Sequence, residues 1–380
     1  MKKCIMISDS FKGSISSTEI GNIAKDSVKK FFPDCEVISI PVADGGEGTV
    51  DCFLEAVGGE KITVPVKGPL GDEMTAPYAM LSGNRAVIEM AAAAGLPLVR
   101  DKKNPKTATT FGVGTQIKDA LSRGAEHIIL GLGGSATNDG GCGCAAALGV
   151  KFYDEGGREF IPAGGTLEKI AKIDVSECRD NLRGVKFTAM CDIDNPLYGE
   201  NGAAYIFGPQ KGADENTVLE LDRGLRHLAE VISRDIGADT ANVPGAGAAG
   251  GFGAGAIAFF GAELMSGIEV VLDAVEFDRL LENCDMVFTG EGRIDGQSLR
   301  GKVVIGVAGR TKKRGVPCIA IVGDVRDDAY CAYDMGVTAI FSTNRLAIPF
   351  SEARGRSRGD YVRTFEDVMR IIKAAEKIRA

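Results

Sequence analysis

EHIILGLGGSATNDGGCGCAAAL, residues 126–148, joins a short apolar strand run to a helical run through a glycine-rich turn. Residues 126–130 are too few for a helix, and their β-branched residues and the glycines beyond them mark a buried strand. The alanines of 142–148 favour a helix, so the apolar period changes across the turn, as it does in a βα unit. The same plan recurs outward in both directions. Lys3–Ser8 reads as a strand, DSFKG (9–13) as a loop, and Ser16 with Glu19 as a capping box opening a helix to Phe31. A strand at 36–42 runs into DGGEG (44–48) and a helix to Ala56; a strand at 285–289 runs into GEGRIDGQSLRGK (290–302) and a helix; 317–322 is a further strand. Repeated strand, turn and helix define an α/β protein with mostly parallel strands. Residues 61–85 break the rhythm with short runs between Gly and Pro, which predicts antiparallel additions or an inserted domain.

At 380 residues the chain exceeds one core of ordinary size, and two domains are expected. Apolar residues at 44% and charged residues at 25% fit a globular chain, and a net charge of −8 opposes a surface for nucleic acid or anionic lipid. Anionic ligands must then be held by a few local cations. The ten cysteines have no disulfide spacing and fit reduced cytosolic thiols. The opening MKKCIMISDS has an apolar run of about four residues where a signal peptide needs roughly seven to fifteen, so a first strand is expected there. Residues 243–262 carry no charge and contain Gly247, Gly251 and Gly255 at GxxxG spacing, but seven glycines in twenty residues fit a buried turn and helix better than a membrane span.

With only two histidines, much acid–base chemistry is excluded. His127 starts its strand, about 20 Å of extended chain from Gly133, and His227 falls within an amphipathic helix at 217–236. Carboxylates, lysines and glycines instead crowd the turns after strands, where α/β sheets hold ligands. That set suits phosphoryl transfer, which needs oxygen ligands for Mg²⁺, amides and cations for phosphates, and a proton acceptor. Asp9, Ser10 and Lys12 meet at one strand end; Asp44, Gly45, Gly46 and Glu47 form a flexible acidic turn, though Asp44 and Glu47 would equally serve a helix N-terminus. Gly133, Gly134 and Ser135 form a potential phosphate nest, with Asn138 and Asp139 adding polar groups. Asp192 and Asp194 of CDIDNP follow the strand Lys186–Met190 two apart and so share one face, suiting Mg²⁺ or a proton; Lys211 of PQKG is a nearby cation or a solvated one. Glu291, Arg293, Asp295 and Lys302 follow another strand. Gly296, Gly301 and Lys302 satisfy GxxxxGK, but Val303 replaces the hydroxyl of a Walker A loop. The DxD is similar to that of haloacid-dehalogenase-type phosphatases, yet Pro196 stands where Thr or Val is expected.

DSFKGS, DGGEGT, GGSATNDGG, CDIDNPLYG with GPQKGA, PGAGAAGGFGAG and TGEGRIDGQS together resemble the glycerate kinase family of the glycerate 2-kinase type, from Asp9 to about Lys302. The resemblance implies a flavodoxin-like mostly parallel α/β/α domain, residues 1–70 plus 275–380, and an inserted restriction-enzyme-like α/β domain, 71–274. It further implies a kinase with ATP and Mg²⁺ as co-reactants, D-glycerate as acceptor, and 2-phosphoglycerate and ADP as products; with the thiols and acidic charge above, a cytoplasmic enzyme without nucleic-acid or membrane partners is expected. On chemistry, Asp192, Asp194, Lys12 and Lys302 are the expected catalytic groups. Asp9, Ser10, Asp44, Gly45, Gly46, Glu47, Gly133, Gly134, Ser135, Asp139, Lys211 and Arg293 are expected to bind substrate or phosphate, and Asp192, Asp194, Glu291 and Asp295 to hold Mg²⁺. A 3-kinase, a DxD phosphohydrolase and a non-catalytic binding module are the rival readings.

Overall fold

A computed structural model describes residues 1–11, 13–43, 45–296, 298 and 301–379; Lys12 and Asp44 of the expected site lie outside the described residues. The principal strands in chain order are β1 (Lys3–Ser8), β2 (Glu36–Pro41), β3 (Glu60–Lys67), β4 (Glu73–Leu81), β5 (Arg85–Glu89), β6 (His127–Gly131), β7 (Lys186–Met190), β8 (Glu263–Met265), β9 (Met286–Gly290), β10 (Cys318–Val322) and β11 (Ala339–Ser342). They divide between two compact units, one of residues 1–43 and 266–380, the other of residues 44–265.

In the first unit the sheet order is β11-β10-β9-β1-β2, and every pair is parallel. Counted within the unit this is the flavodoxin order 2-1-3-4-5, with the switch point between β1 and β9. Helix Ser17–Phe31 links β1 to β2; Ser16 accepts the Glu19 N–H at 3.2 Å, and Ile20, Ile23, Ala24, Ser27 and Val28 form its buried stripe. The C-terminal helix Ser357–Arg379 buries Tyr361, Phe365 and Met369 in the same core, with Phe365 5.0 Å from Phe288 on β9. Ser8 stands in register with both Pro41 and Gly290, so three strands end level.

The second unit carries a six-stranded sheet of order β8-β7-β6-β5-β4-β3. β3 and β4 are its antiparallel additions, and β5 to β8 run parallel. β3 alternates exposed and buried residues and carries Pro65, which an edge strand tolerates. It pairs with β4 from Glu60 to Lys67, which places it in this unit. The resemblance places the division at 70/71 and 274/275; the compact units meet at 43/44 and 265/266, with β3 and the helix before it in the unit of their sheet. Glu89, Gly131, Met190 and Met265 are successive register partners, so four parallel strands also end level and their outgoing loops share one edge. The glycine-rich segment forms helix Ala248–Phe260, and no described helix is long and apolar enough to cross a membrane.

Candidate functional site

At the strand ends of the second unit two glycine turns lie backbone against backbone. The Gly133 N–H donates to the Gly45 carbonyl at 2.9 Å, and a Cβ on Gly133 would fall 2.6 Å from Gly46 Cα. Gly45 adopts φ +83°, the left-handed region that favours glycine. These glycines therefore serve close packing of DGGEG on GLGGS, and the Gly133 amide is not free to complete a phosphate nest. Glu47 is exposed on the turn. The helix Thr49–Val57 that follows has no side-chain cap of its own; buried Glu89 at the end of β5 accepts the Val50 N–H at 2.6 Å. The sequence reading missed Glu89, whose signal is an acid closing the apolar run RAVIE.

Beside these turns lies a cavity of about 370 Å³ whose lining includes Gly133, Gly134, Ser135, Asp192, Gln210 and Lys211. Its size falls in the range of small-molecule sites. Lys211 is only 3% exposed, and its Nζ donates to Ser135 Oγ at 3.0 Å and to the Thr137 carbonyl at 2.7 Å. It is thus neither a loop lysine in water nor a surface cation. Burial brings its ammonium down to about 7, against an upward pull from Asp139. Asp139 is itself fully buried. It accepts hydrogen bonds from the Thr110 N–H and hydroxyl, each at 2.8 Å, and from the N–H groups of Gly141 and Gly143, so it ties the turn together behind the cavity. Burial raises its carboxyl. Asn138, named with Asp139 for its polar group, keeps both amide atoms buried and without a partner among the described residues, as does the Thr137 hydroxyl.

Asp192 lines the cavity and is exposed, while Asp194 is not part of the lining. The strand ends at Met190, two residues before Asp192, and Asp192 and Asp194 are both exposed while Cys191 and Ile193 are half-buried. Ala249, also on the cavity wall, opens a left-handed run of Ala249, Gly250 and Gly251 with φ of 52°, 68° and 90° inside PGAGAAGGFGAG.

The switch point of the first unit gathers a different set. The Asp9 N–H donates to Gly290 O at 2.9 Å, and Asp9 Oδ1 accepts the Ser10 N–H at 2.6 Å. Glu291, the first residue after β9, is buried, with Oε1 unpartnered among the described residues. Burial raises its carboxyl to about 7; a Ser298 hydrogen bond and Lys302 pull it down, and Asp9 and Asp295 push it up. Lys302 precedes helix Val303–Arg314. Arg293 and Asp295 pair with each other at 3.1 Å, and Asp295 Oδ1 also accepts the Ser298 N–H at 3.3 Å. Both histidines are structural: His127 Nε2 meets Thr188 Oγ1 at 2.9 Å, and His227 Nε2 donates to Ile170 O at 2.8 Å.

Lysines beside hydroxyls, carboxylates and glycine turns, most of them in loops that leave parallel strands and Lys211 on a helical turn beside them, fit an α/β enzyme equipped to move a phosphoryl group. The glycerate kinase family model matches residues 4–373. The chain is 47% identical to a glycerate kinase of Halalkalibacterium halodurans across 93% of both chains, and 46% identical to the glycerate 2-kinase of Escherichia coli across 90% of both. It also superposes with a TM-score of 0.86 on a crystal structure described as a candidate glycerate kinase 2 from Salmonella typhimurium, at 39% identity over 99% of each chain. The chain belongs to the glycerate kinase family and is a kinase.

Proposed function

We propose that this kinase transfers the γ-phosphoryl group of ATP to the 2-hydroxyl of D-glycerate, giving 2-phosphoglycerate and ADP in the cytoplasm. The likeness to the Escherichia coli glycerate 2-kinase over nine-tenths of both chains carries the choice of acceptor and position. The second unit's cavity supports it chemically: its buried Lys211 and Ser135 suit an oxyanion, and Asp192 supplies a carboxylate within the same lining. Asp192 is assigned to take the proton of the attacking hydroxyl. Lys302 is assigned to neutralise charge at the first unit's switch point, and Lys12 of the DSFKG motif is assigned the same role on its chemistry.

The residues fit Mg²⁺ as the companion of a nucleotide. No three His, Cys, Asp or Glu residues among the described ones form a metal cage, and Mg²⁺ bound with phosphates needs only one or two carboxylates. In the first unit Glu291, whose buried Oε1 has no partner among the described residues, is the carboxylate that would hold the ion, while Asp295 is tied to Arg293 and Ser298; in the second unit Asp192 and Asp194 are the carboxylates that would do so. When bound with the nucleotide, Mg²⁺ would supply positive charge for the phosphoryl oxygens.

The test gives the purified protein D-glycerate, ATP and Mg²⁺ with enolase present and follows phosphoenolpyruvate. Immediate formation is expected. A signal that needs added phosphoglycerate mutase would mean transfer to the 3-hydroxyl, and no signal in either case removes glycerate as the acceptor.

A further inference from the structure

We infer that the Lys211–Ser135 corner of the second unit's cavity is an oxyanion site whose cation is completed by the ligand, so that binding there takes up a proton. The inference rests on the kinase reading for its ligands, which offer two oxyanions: the carboxylate of the hydroxy acid and the phosphates of the nucleotide. The geometry comes first. Lys211 Nζ has two oxygen partners, the Ser135 hydroxyl and the Thr137 carbonyl, and both are neutral. Its residue is 3% exposed, so solvent does little to hold the charge, yet the group belongs to the cavity lining and an entering ligand meets it.

The charged and titratable groups around it do not supply the missing partner. Asp139 is the nearest source of negative charge, and its oxygens already accept four hydrogen bonds from Thr110, Gly141 and Gly143. Asp192 lies on the cavity wall but is exposed. The neighbouring Cys191 thiol is held neutral, its ionisation raised by burial. Lys103, whose carbonyl and Cβ lie against Gly212, is an exposed like charge. Burial accordingly leaves the ammonium titrating at about 7. An oxyanion placed at this corner favours the charged form and raises that value. The sign follows: below about 7 the lysine is charged with or without ligand. Above it, binding must bring a proton from solution, and affinity falls by up to about tenfold per pH unit until the bound form also deprotonates.

Titration calorimetry of the whole protein, in one buffer of low and one of high ionisation enthalpy at about pH 8, reads the protons taken up. One arm uses D-glycerate, the other the β,γ-imido analogue of ATP, each alone and in the presence of its companion. Lys211→Arg stays charged throughout and provides the blank. Uptake approaching one proton over that blank in the glycerate arm assigns the corner to the carboxylate; the same excess in the nucleotide arm assigns it to phosphate. Equal heats in both buffers for both ligands overturn the inference. If the arginine variant does not fold, Ser135→Ala serves: it should weaken the same ligand while wild-type uptake stands. Turnover of glycerate by the same preparation is measured alongside. Turnover without proton uptake sinks this inference alone, whereas absence of turnover sinks the kinase reading itself.

Discussion

Lys211 and Asp192 share one cavity but answer to different physics. Lys211 gives up hydration for two neutral oxygens, and a fall from 10.5 to about 7 corresponds to on the order of 5 kcal/mol against its charged form. Because the unfolded chain holds that proton up to an ordinary lysine pKa of about 10.4, the unfolded state binds more protons than the fold across the interval above about 7. The stability due to this residue is therefore full above the unfolded value and is lost as pH falls toward the folded one. Urea unfolding of the unliganded protein should become harder between about pH 7 and pH 9, and Lys211→Met should flatten that slope; an unchanged slope would show Lys211 charged in the fold. Asp192 is exposed and packs no core, so Asp192→Asn should leave the melting temperature within about a degree while cutting kcat by about a hundredfold or more. Near-normal turnover would remove it from the chemistry.

The turn GLGGS illustrates how an element carries both legible and hidden information. Strand, turn and helix at 126–148 were readable locally, because apolar period and glycine content act within a few residues. The partner of that turn was not. DGGEG meets it across nearly ninety residues of chain, through the Gly133 N–H on the Gly45 carbonyl and the close approach of Gly46, contacts that no local pattern announces. The same limit hid Glu89 as the anchor of the following helix and left Lys211 with a solvated alternative, since burial is a tertiary property. The carboxylates at 192 and 194 lie past the last residue of the strand, where the period-2 argument no longer fixes their directions, although both are exposed. The packing account makes a prediction about Gly133. A Cβ there would sit 2.6 Å from Gly46 Cα and 2.8 Å from Gly46 N, so backbone would have to move. Gly133→Ala should cost about 2 to 4 kcal/mol in chemical unfolding as well as activity. Wild-type stability with lost activity would instead restore the phosphate-nest role to Gly133.

At the scale of the molecule the chain is interrupted: β1 and β2 of residues 1–43 pair with each other, but the other three strands of their sheet come only after residue 265. β1 is an interior strand of that sheet and pairs in parallel with β9 over Cys4–Ser8 against Met286–Gly290, so one side of its ladder is supplied nearly three hundred residues later. The helix after β1 has the same dependence, because its buried stripe shares a core with Tyr361, Phe365 and Met369 of the last helix. A two-stranded parallel ribbon with one helix lacks the burial to hold itself in water. The second unit has no such debt: all six strands of its sheet lie between Glu60 and Met265, and so does its apolar cluster. Truncation after residue 265 should therefore leave 44–265 folded and 1–43 without stable structure. Hydrogen exchange on that fragment is expected to show slow amides in β5, β6 and β7 and fast ones in Lys3–Ser8. Protection of Lys3–Ser8 in the fragment would mean that β1 and β2 hold together without β9. Fast exchange throughout would mean that the inserted sheet needs the discontinuous unit to fold, a coupling that its own core does not require.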